Sequence, residues 1–182
     1  MAICNLTKNL LKSDSCAYTL NEVRDLYVVD FNSVSAATIN DDACSGTVGT
    51  ELATLKLTTG AKWAHIEPQK NSVTYSDELV VEDSGAKYRT HTVTFGLSGN
   101  YDSGMVCSVD ALALGRFFVV VKTASGQFLA LGRNVGLEAS EQSVAGGSDN
   151  NGITVTLTAN VAESAVPLSD DAIQELLANV YA

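Results

Sequence analysis

The sequence predicts a mainly β protein with a short central helix, a long hairpin and a C-terminal helix. Valine and threonine are abundant and long Glu/Lys/Leu-rich runs are few, which favours strands over helices. Residues 117–121 are uninterruptedly apolar, and residues 153–161 (ITVTLTANV) alternate apolar and polar side chains as a half-buried strand does. With 182 residues, 46% of them hydrophobic, the chain is long enough to form a domain with its own core.

The clearest pattern is a central hairpin at residues 116–133 (RFFVVVKTASGQFLALGR). Its β-branched and aromatic run, residues 117–121, predicts a strand that is buried on both faces. Gly126 predicts a turn, because glycine adopts positive φ at little cost. Residues 127–131 are then expected to return as the second strand of the hairpin.

A short helix is predicted directly before this hairpin. Ser108 is placed as its N-cap and Gly115 at its end, and three apolar residues fall at positions i, i+3 and i+4 (Val109, Leu112 and Ala113). Cys107 heads the helix and is expected to pack as a small apolar group.

The first third of the chain predicts further strands. Residues 22–31 (EVRDLYVVDF) form an apolar cluster between polar ends, and residues 51–58 alternate imperfectly as a half-buried strand. Residues 32–50 are small and polar, which predicts a loop that carries a short strand at 37–39. Residues 61–68 continue the β pattern until Pro68 halts the pairing.

Two pairs of titratable residues in this region are candidate sites. His65 and Glu67 lie two apart and therefore share a face in a strand, but no nucleophile or third partner accompanies them, so we expect a surface role. The pair Asp41 and Asp42 lacks the ligand spacing of an EF-hand, so we expect a solvated turn rather than a calcium site.

The longest predicted feature is a hairpin whose strands cover residues 70–81 and 87–97, joined by the acidic turn 82–85. Its strands exceed the usual five or six residues, so we expect it to project beyond the body of the domain. An open edge of this kind promotes aggregation unless it has a partner, which another subunit would provide. His91 is placed on the threonine face of the second strand and is expected to face solvent.

Residues 165–182 are predicted to be a C-terminal amphipathic helix that extends a single β-rich domain formed by residues 1–164. Ser169 caps this helix, and Asp170 and Asp171 suit the positive end of its dipole. We favour packing on its own domain over docking on a neighbour. The apolar stripe that would dock consists of Ile173, Leu176, Leu177 and Val180.

Charge and motifs exclude several classes of protein. The net charge of −10 argues against non-specific nucleic-acid binding, which needs Lys and Arg against phosphate. Catalytic and nucleotide-binding motifs are absent. The chain has two histidines, and its four cysteines lack CxxC spacing, which argues against a zinc site (Cys4, Cys16, Cys44 and Cys107). We therefore expect no enzyme, no catalytic or metal site and no cofactor. Neither a signal peptide nor a membrane span is predicted, which indicates synthesis in a cytoplasm.

Four segments in order resemble the major tail tube proteins of long-tailed bacteriophages, and closest the small virion proteins of phages of Bacteroides-like hosts. They are AICNLTKNLLKSDSCAYTLNEVRDLYVVDF, VTYSDELVVEDSGAKYRTHTVTFGLSG, ALALGRFFVVVKTASGQFLALGRNVGLEAS and SDNNGITVTLTANVAES. The resemblance covers most of residues 1–164, and its order and spacing carry more information than any one segment. The final helix goes beyond the pattern of that family.

The resemblance implies a β-sandwich or split barrel, with the helix at residues 109–114 on the outer side of the sheet. It implies a virion protein of the phage tail, made in the host cytoplasm, whose copies form stacked hexameric rings. Its partners would be other copies, other tail proteins and genomic DNA that passes through the channel without specific binding and without membrane insertion. Residues 71–89 are the expected contact between rings or subunits, through Val73, Tyr75, Leu79, Val81, Lys87, Tyr88 and Arg89.

Two alternatives use the same β fold. A capsid-associated, tail-completion or decoration protein would bind a phage particle without polymerising. A secreted adhesin or pilin-like module fits less well, because no signal peptide is predicted. Self-association separates the first alternative from a tube subunit.

Overall fold

The computed structural model describes residues 22–40, 51–68, 72–97, 103–146 and 152–181. Predictions for Asn71, for the pair Asp41–Asp42 and for Cys4, Cys16 and Cys44 lie outside the described residues. In order, the described elements are β1 (Val23–Asp30), a 3-10 turn (Phe31–Ser33), β2 (Val34–Ile39), β3 (Leu52–Leu57), β4 (Ala64–Ile66), β5 (Thr74–Val81), β6 (Lys87–Leu97), α1 (Ser103–Leu114), β7 (Arg116–Thr123), β8 (Phe128–Leu131), β9 (Leu137–Ala145), β10 (Gly152–Val161), β11 (Val166–Pro167) and α2 (Asp170–Ala178).

The strands form a sandwich around β7. Strands β4, β1, β7, β8 and β11 make one layer, and β9, β10, β6 and β5 make the other, joined where β7 pairs briefly with β9. Hairpin β2–β3 and helix α2 cover the opposite face of the first layer. The prediction of a mainly β fold with a C-terminal helix is confirmed. The described strands form a sandwich and no closed barrel.

Strand β7 supplies both hydrophobic cores because its side chains alternate between its two faces. Val119 and Val121 point into the core between the two layers, while Phe118 and Val120 point towards β3 and α2, and all four are fully buried. The prediction of a strand buried on both faces is confirmed. The turn after β7 is confirmed as well, because Gly126 has φ 89°.

Helix α1 begins earlier than predicted. It starts at Ser103, so Ser108 lies inside it and donates its hydroxyl to the carbonyl of Gly104 (3.0 Å) instead of capping the first turn. Val109 is fully buried in the core between the layers rather than on an outer face of a sheet. Cys107 is exposed, because it lies two positions, about 200°, around the helix from Val109. The expected apolar packing of Cys107 is therefore wrong.

The predicted loop after β1 contains more regular structure than expected. Asp30 accepts a hydrogen bond from the backbone N–H of Asn32 (2.7 Å), which fixes a 3-10 turn, and β2 then covers Val34–Ile39 rather than three residues. Strand β2 pairs antiparallel with β3. The sequence of β2 has no clear alternation of apolar and polar residues, and packing against the core stabilises this pair of strands.

Helix α2 packs on its own domain. Ser169 caps it, accepting a hydrogen bond from the backbone N–H of Ala172 (3.3 Å). Leu176 is fully buried against β3, and Ile173 and Val180 pack against the same core, whereas Leu177 is 49% exposed. Residues 165–181 therefore share a core with the strands. No helix in the part of the chain that the structure describes is long and apolar enough to cross a membrane.

Candidate assembly surface

The β5–β6 hairpin extends beyond the sheet that carries it. Strand β5 pairs with β6 from Lys87 to Thr94, whereas β10 pairs with β6 from Arg89 to Leu97. We call residues 79–89 the arm. Arg89, opposite Leu79, is the last residue of β6 that pairs with β10, and the hairpin beyond it has no β10 neighbour. Gly85, with φ 82°, closes the turn at the tip. The prediction of a long hairpin is confirmed, and its first strand is described from Thr74.

The arm exposes apolar side chains on one face. Leu79 and Val81 are 58% and 56% exposed, although they lie on the same face of β5 as Asp77, which points towards the body of the domain. None of the described residues covers this continuation of the inner face. Strand β5 is also the last strand of its sheet, so its outer backbone edge is unpaired among the described strands. Apolar exposure beside an open edge is typical of a surface that has a partner.

The residues predicted for contact between subunits divide into two groups. Val73 packs against the core and Arg89 is engaged inside its own subunit, whereas Tyr75, Leu79, Val81 and Lys87 are exposed. Tyr88 is half-buried opposite Val80. The exposed group alone forms an accessible surface.

A polar network anchors the base of the arm. Asp77 accepts hydrogen bonds from Arg89 Nε (2.5 Å) and from the backbone N–H of Ala165 (2.9 Å). Burial by itself would raise the pKa of the Asp77 carboxyl, but these bonds and the nearby positive charge outweigh it and lower the pKa. The arm is thus fixed to the sandwich at its base, which favours a defined direction for the exposed tip.

His91 belongs to this network and is buried, not solvent-facing. It is 1% exposed, its Nδ1 accepts a hydrogen bond from the backbone N–H of Gly132 (3.2 Å), and its Nε2 lies 3.3 Å from Asp77 Oδ1. Strand periodicity explains the correction, because residue 91 is two from Val93 and four from Phe95, which are core residues. The expectation that His91 lies on the threonine face is therefore wrong, because the threonines occupy the alternate positions of β6.

Burial lowers the pKa of His91, and this outweighs the opposing attraction of Asp77 and Glu163. Since Nδ1 already accepts a hydrogen bond, the neutral ring carries its proton on Nε2. A second proton on Nδ1 would face the Gly132 N–H donor and break that bond. The folded protein therefore holds His91 neutral.

We expect acid to destabilise the fold through His91. In the unfolded chain His91 binds a proton with the ordinary histidine pKa of 6.5, whereas burial lowers its pKa in the folded chain, so the free energy of unfolding falls as pH drops below about 6.5. One proton limits the slope to about 1.4 kcal/mol per pH unit. Urea denaturation between pH 8 and about 5.5 measures it.

The variant His91→Gln, which does not titrate, should lose this slope, while His65→Gln should keep it. The chain has only these two histidines, so the pair is a matched control. An unchanged slope in His91→Gln would contradict the assignment. At lower pH, Asp77 and Asp25 act in the same direction, because the pKa of each is lowered in the folded state.

The outer face of the β5, β6, β10 and β9 sheet is covered by hydroxyl groups. Threonines pair across β6 and β10, with hydroxyl oxygens 3.2 Å apart for Thr92 and Thr158 and 3.1 Å apart for Thr94 and Thr156. The register places no Lys or Arg of these four strands on this face, but Arg116 at the start of β7 reaches it and pairs with Glu138 (2.6 Å). We call it the hydroxyl face: Thr74, Ser76, Glu78, Val80, Tyr88, Thr90, Thr92, Thr94, Thr154, Thr156, Thr158, Asn160, Glu138, Glu141 and Ser143.

His65 and Glu67 meet a third residue that the sequence did not reveal. His65 Nε2 lies 3.1 Å from Asp25 Oδ1, and Lys122 Nζ lies 3.1 Å from Asp25 Oδ2. The ring of His65 stacks on Tyr27 with centroids 4.9 Å apart. Burial would raise the pKa of Asp25, but the bonds from Lys122 and His65 lower it.

One ligand atom each from Asp25, His65 and Glu67 lies within 4.8 Å of the others, a donor set that metals use. Lys122 already neutralises the half-buried carboxylate of Asp25, and acidic groups at a surface are common without an ion. The geometry is best described as an ion cluster that links β1, β4 and β7.

Comparison with protein-family models finds no match, and a search of curated protein sequences finds none either.

Proposed function

We propose that this protein is a self-assembling structural subunit of a virion, a tail tube protein whose copies form stacked hexameric rings around a channel for DNA. The observation that carries the proposal is the arm, which joins exposed Leu79 and Val81 to an unpaired strand edge. A subunit with such an arm is incomplete by itself. A second copy would bury the apolar face and pair the open backbone.

Charge and chemistry of the hydroxyl face support a channel role. Retention of DNA requires Lys or Arg against phosphate. The β5, β6, β10 and β9 strands present none there, and Arg116, which reaches this face from β7, is paired with Glu138. Glu78 and Glu141 on this face and the net charge of −10 repel phosphate. Hydroxyl groups that hydrogen-bond one another, as in the Thr92–Thr158 pair, leave a hydrated, weakly adhesive wall.

Closure between subunits supports the same proposal. Strand β5 is the last strand of the second layer, and β4 and β11 lie at the two edges of the first layer. The edge of β5 is open among the described strands, whereas isolated bridges at Trp63 and Leu168 cover the ends of the other two edges. Joining the sheets of adjacent copies around a ring would remove these edges, as barrels do within a single chain. Other tail proteins would then occupy the two ends of the stack.

Purified protein is expected to form rings or tubes with a central hole as its concentration rises. Negative-stain electron microscopy together with the mass in solution measures this. A protein that stays monomeric at all concentrations, including with preformed tail tips as initiators, would contradict the proposal. Binding of that monomer to capsids would then favour the decoration or completion protein.

A further inference from the structure

We propose that the arm of one subunit docks into an apolar groove at the far end of the next subunit, so that copies associate head to tail. The inference rests on the proposed function, because it names the acceptor for the arm. It follows from the shape, position and charge of the groove.

The groove lies between the end of β1, strand β4 and helix α1. Its volume is about 590 Å³, and its walls are mainly apolar. Strand β4 pairs with β1, and Trp63 just before it is hydrogen-bonded to the backbone of Asn179 and Tyr181. The outer edge of β4 beyond Trp63 is unpaired among the described strands and runs along one wall. Aliphatic side chains beside an open strand edge suit an extended apolar segment. The apolar lining includes Val28, Ala64, Ile66, Ala111, Leu112 and Phe117.

The arm and the groove lie at opposite ends of one strand. Strand β6 begins at Lys87 in the arm and ends at Leu97, which lines the groove. Its 11 residues span about 35 Å at a rise of about 3.3 Å per residue. An arm therefore cannot enter the groove of its own subunit. Contact between two different surfaces is heterologous and repeats from copy to copy, which produces a stack rather than a closed pair.

The charge of Lys62 favours this contact. Glu82 and Asp83 form the exposed tip of the arm, and Lys62 lies at the groove. Asp30 also lines the groove, and its carboxylate already accepts a hydrogen bond from the backbone N–H of Asn32. The Lys62 ammonium sits 5.9 Å from the centre of the Tyr181 ring and has no carboxylate within ion-pair distance among the described residues. Copies of an acidic protein repel one another, so a local attraction at this point favours one orientation over others.

Reversing the charge at the groove tests the inference. Lys62→Glu should raise the concentration needed for assembly about tenfold, and adding Glu82→Lys and Asp83→Lys to the same chain should restore assembly. Lys56→Glu is the control, because Lys56 is an exposed cation on β3 outside the groove. Light scattering and electron microscopy measure assembly, and circular dichroism checks that each variant is folded.

A photo-cross-linking amino acid in place of Val81 supplies a readout that does not depend on charge. In assemblies of a protein that carries only this substitution, the cross-linker should label the β4 edge or α1 of a neighbouring copy. Mass spectrometry would identify the labelled peptides as those that contain Ala64 or Leu112. Labelling at other sites, or a Lys62→Glu variant that assembles like the wild type, would overturn the docking and leave the tube proposal standing. Failure of the wild type itself to assemble would overturn both.

Discussion

Val119→Asp is expected to leave the subunit unfolded. Val119 is fully buried in the core between the two layers, in a strand that packs on both faces. Burying an unpaired carboxylate there costs several kcal/mol or more, which is comparable to the whole stability of a domain, about 5–15 kcal/mol. Loss of the cooperative thermal transition, followed by circular dichroism, is the expected measurement.

Val144→Asp is the matched control for this prediction. Val144 also lies in a strand, β9, but it is exposed, so the same substitution should change the free energy of unfolding by about 0.5 kcal/mol or less. If Val119→Asp melted cooperatively near the wild-type temperature, β7 would not be the centre of the core.

The double variant Leu79→Asp with Val81→Asp is expected to fold normally and to lose assembly. Both side chains are more than half exposed in the isolated subunit, so their loss costs the fold little. In a contact, two aliphatic side chains contribute together about 3 kcal/mol, and their replacement by charge should raise the assembly concentration about a hundredfold or more.

Val135→Asp serves as the control for the arm, because Val135 is another exposed apolar residue, in the turn between β8 and β9. Sedimentation velocity with electron microscopy compares the two proteins at equal concentration. Normal tubes from the arm variant would show that the arm is not a contact surface, even though it is exposed.

Local sequence patterns determined much of this fold. The apolar run 117–121 predicted a strand buried on both faces, because only such a strand accommodates consecutive large side chains. Gly126 marked the turn after it, and Ser169 marked the start of α2 through its capping hydroxyl. The long hairpin was predicted from alternation and an acidic turn. Each of these features depends on neighbours in the chain.

The burial of His91 was also contained in the sequence, since its position relative to Val93 and Phe95 places it on the core face. Asp77 lies directly opposite His91 in the β5–β6 hairpin, so the hairpin register brings these two together. Gly132 and Ala165 lie far from His91 along the chain, and only tertiary packing brings them to this network. The cluster of Asp25 with His65 has the same origin, because the register of β1 and β4 decides it.

Tertiary structure alone decided where the proposed assembly surface lies. Residues of one strand face, Asp77, Leu79 and Val81, have the same periodicity, yet the first is covered and the other two are exposed. The difference depends on where β10 stops pairing with β6, at Arg89. Likewise, α2 keeps Leu176 inside and Leu177 outside, although both belong to one apolar stripe. Alternation fixes which face a side chain takes, whereas the extent of the neighbouring layer fixes whether that face is buried.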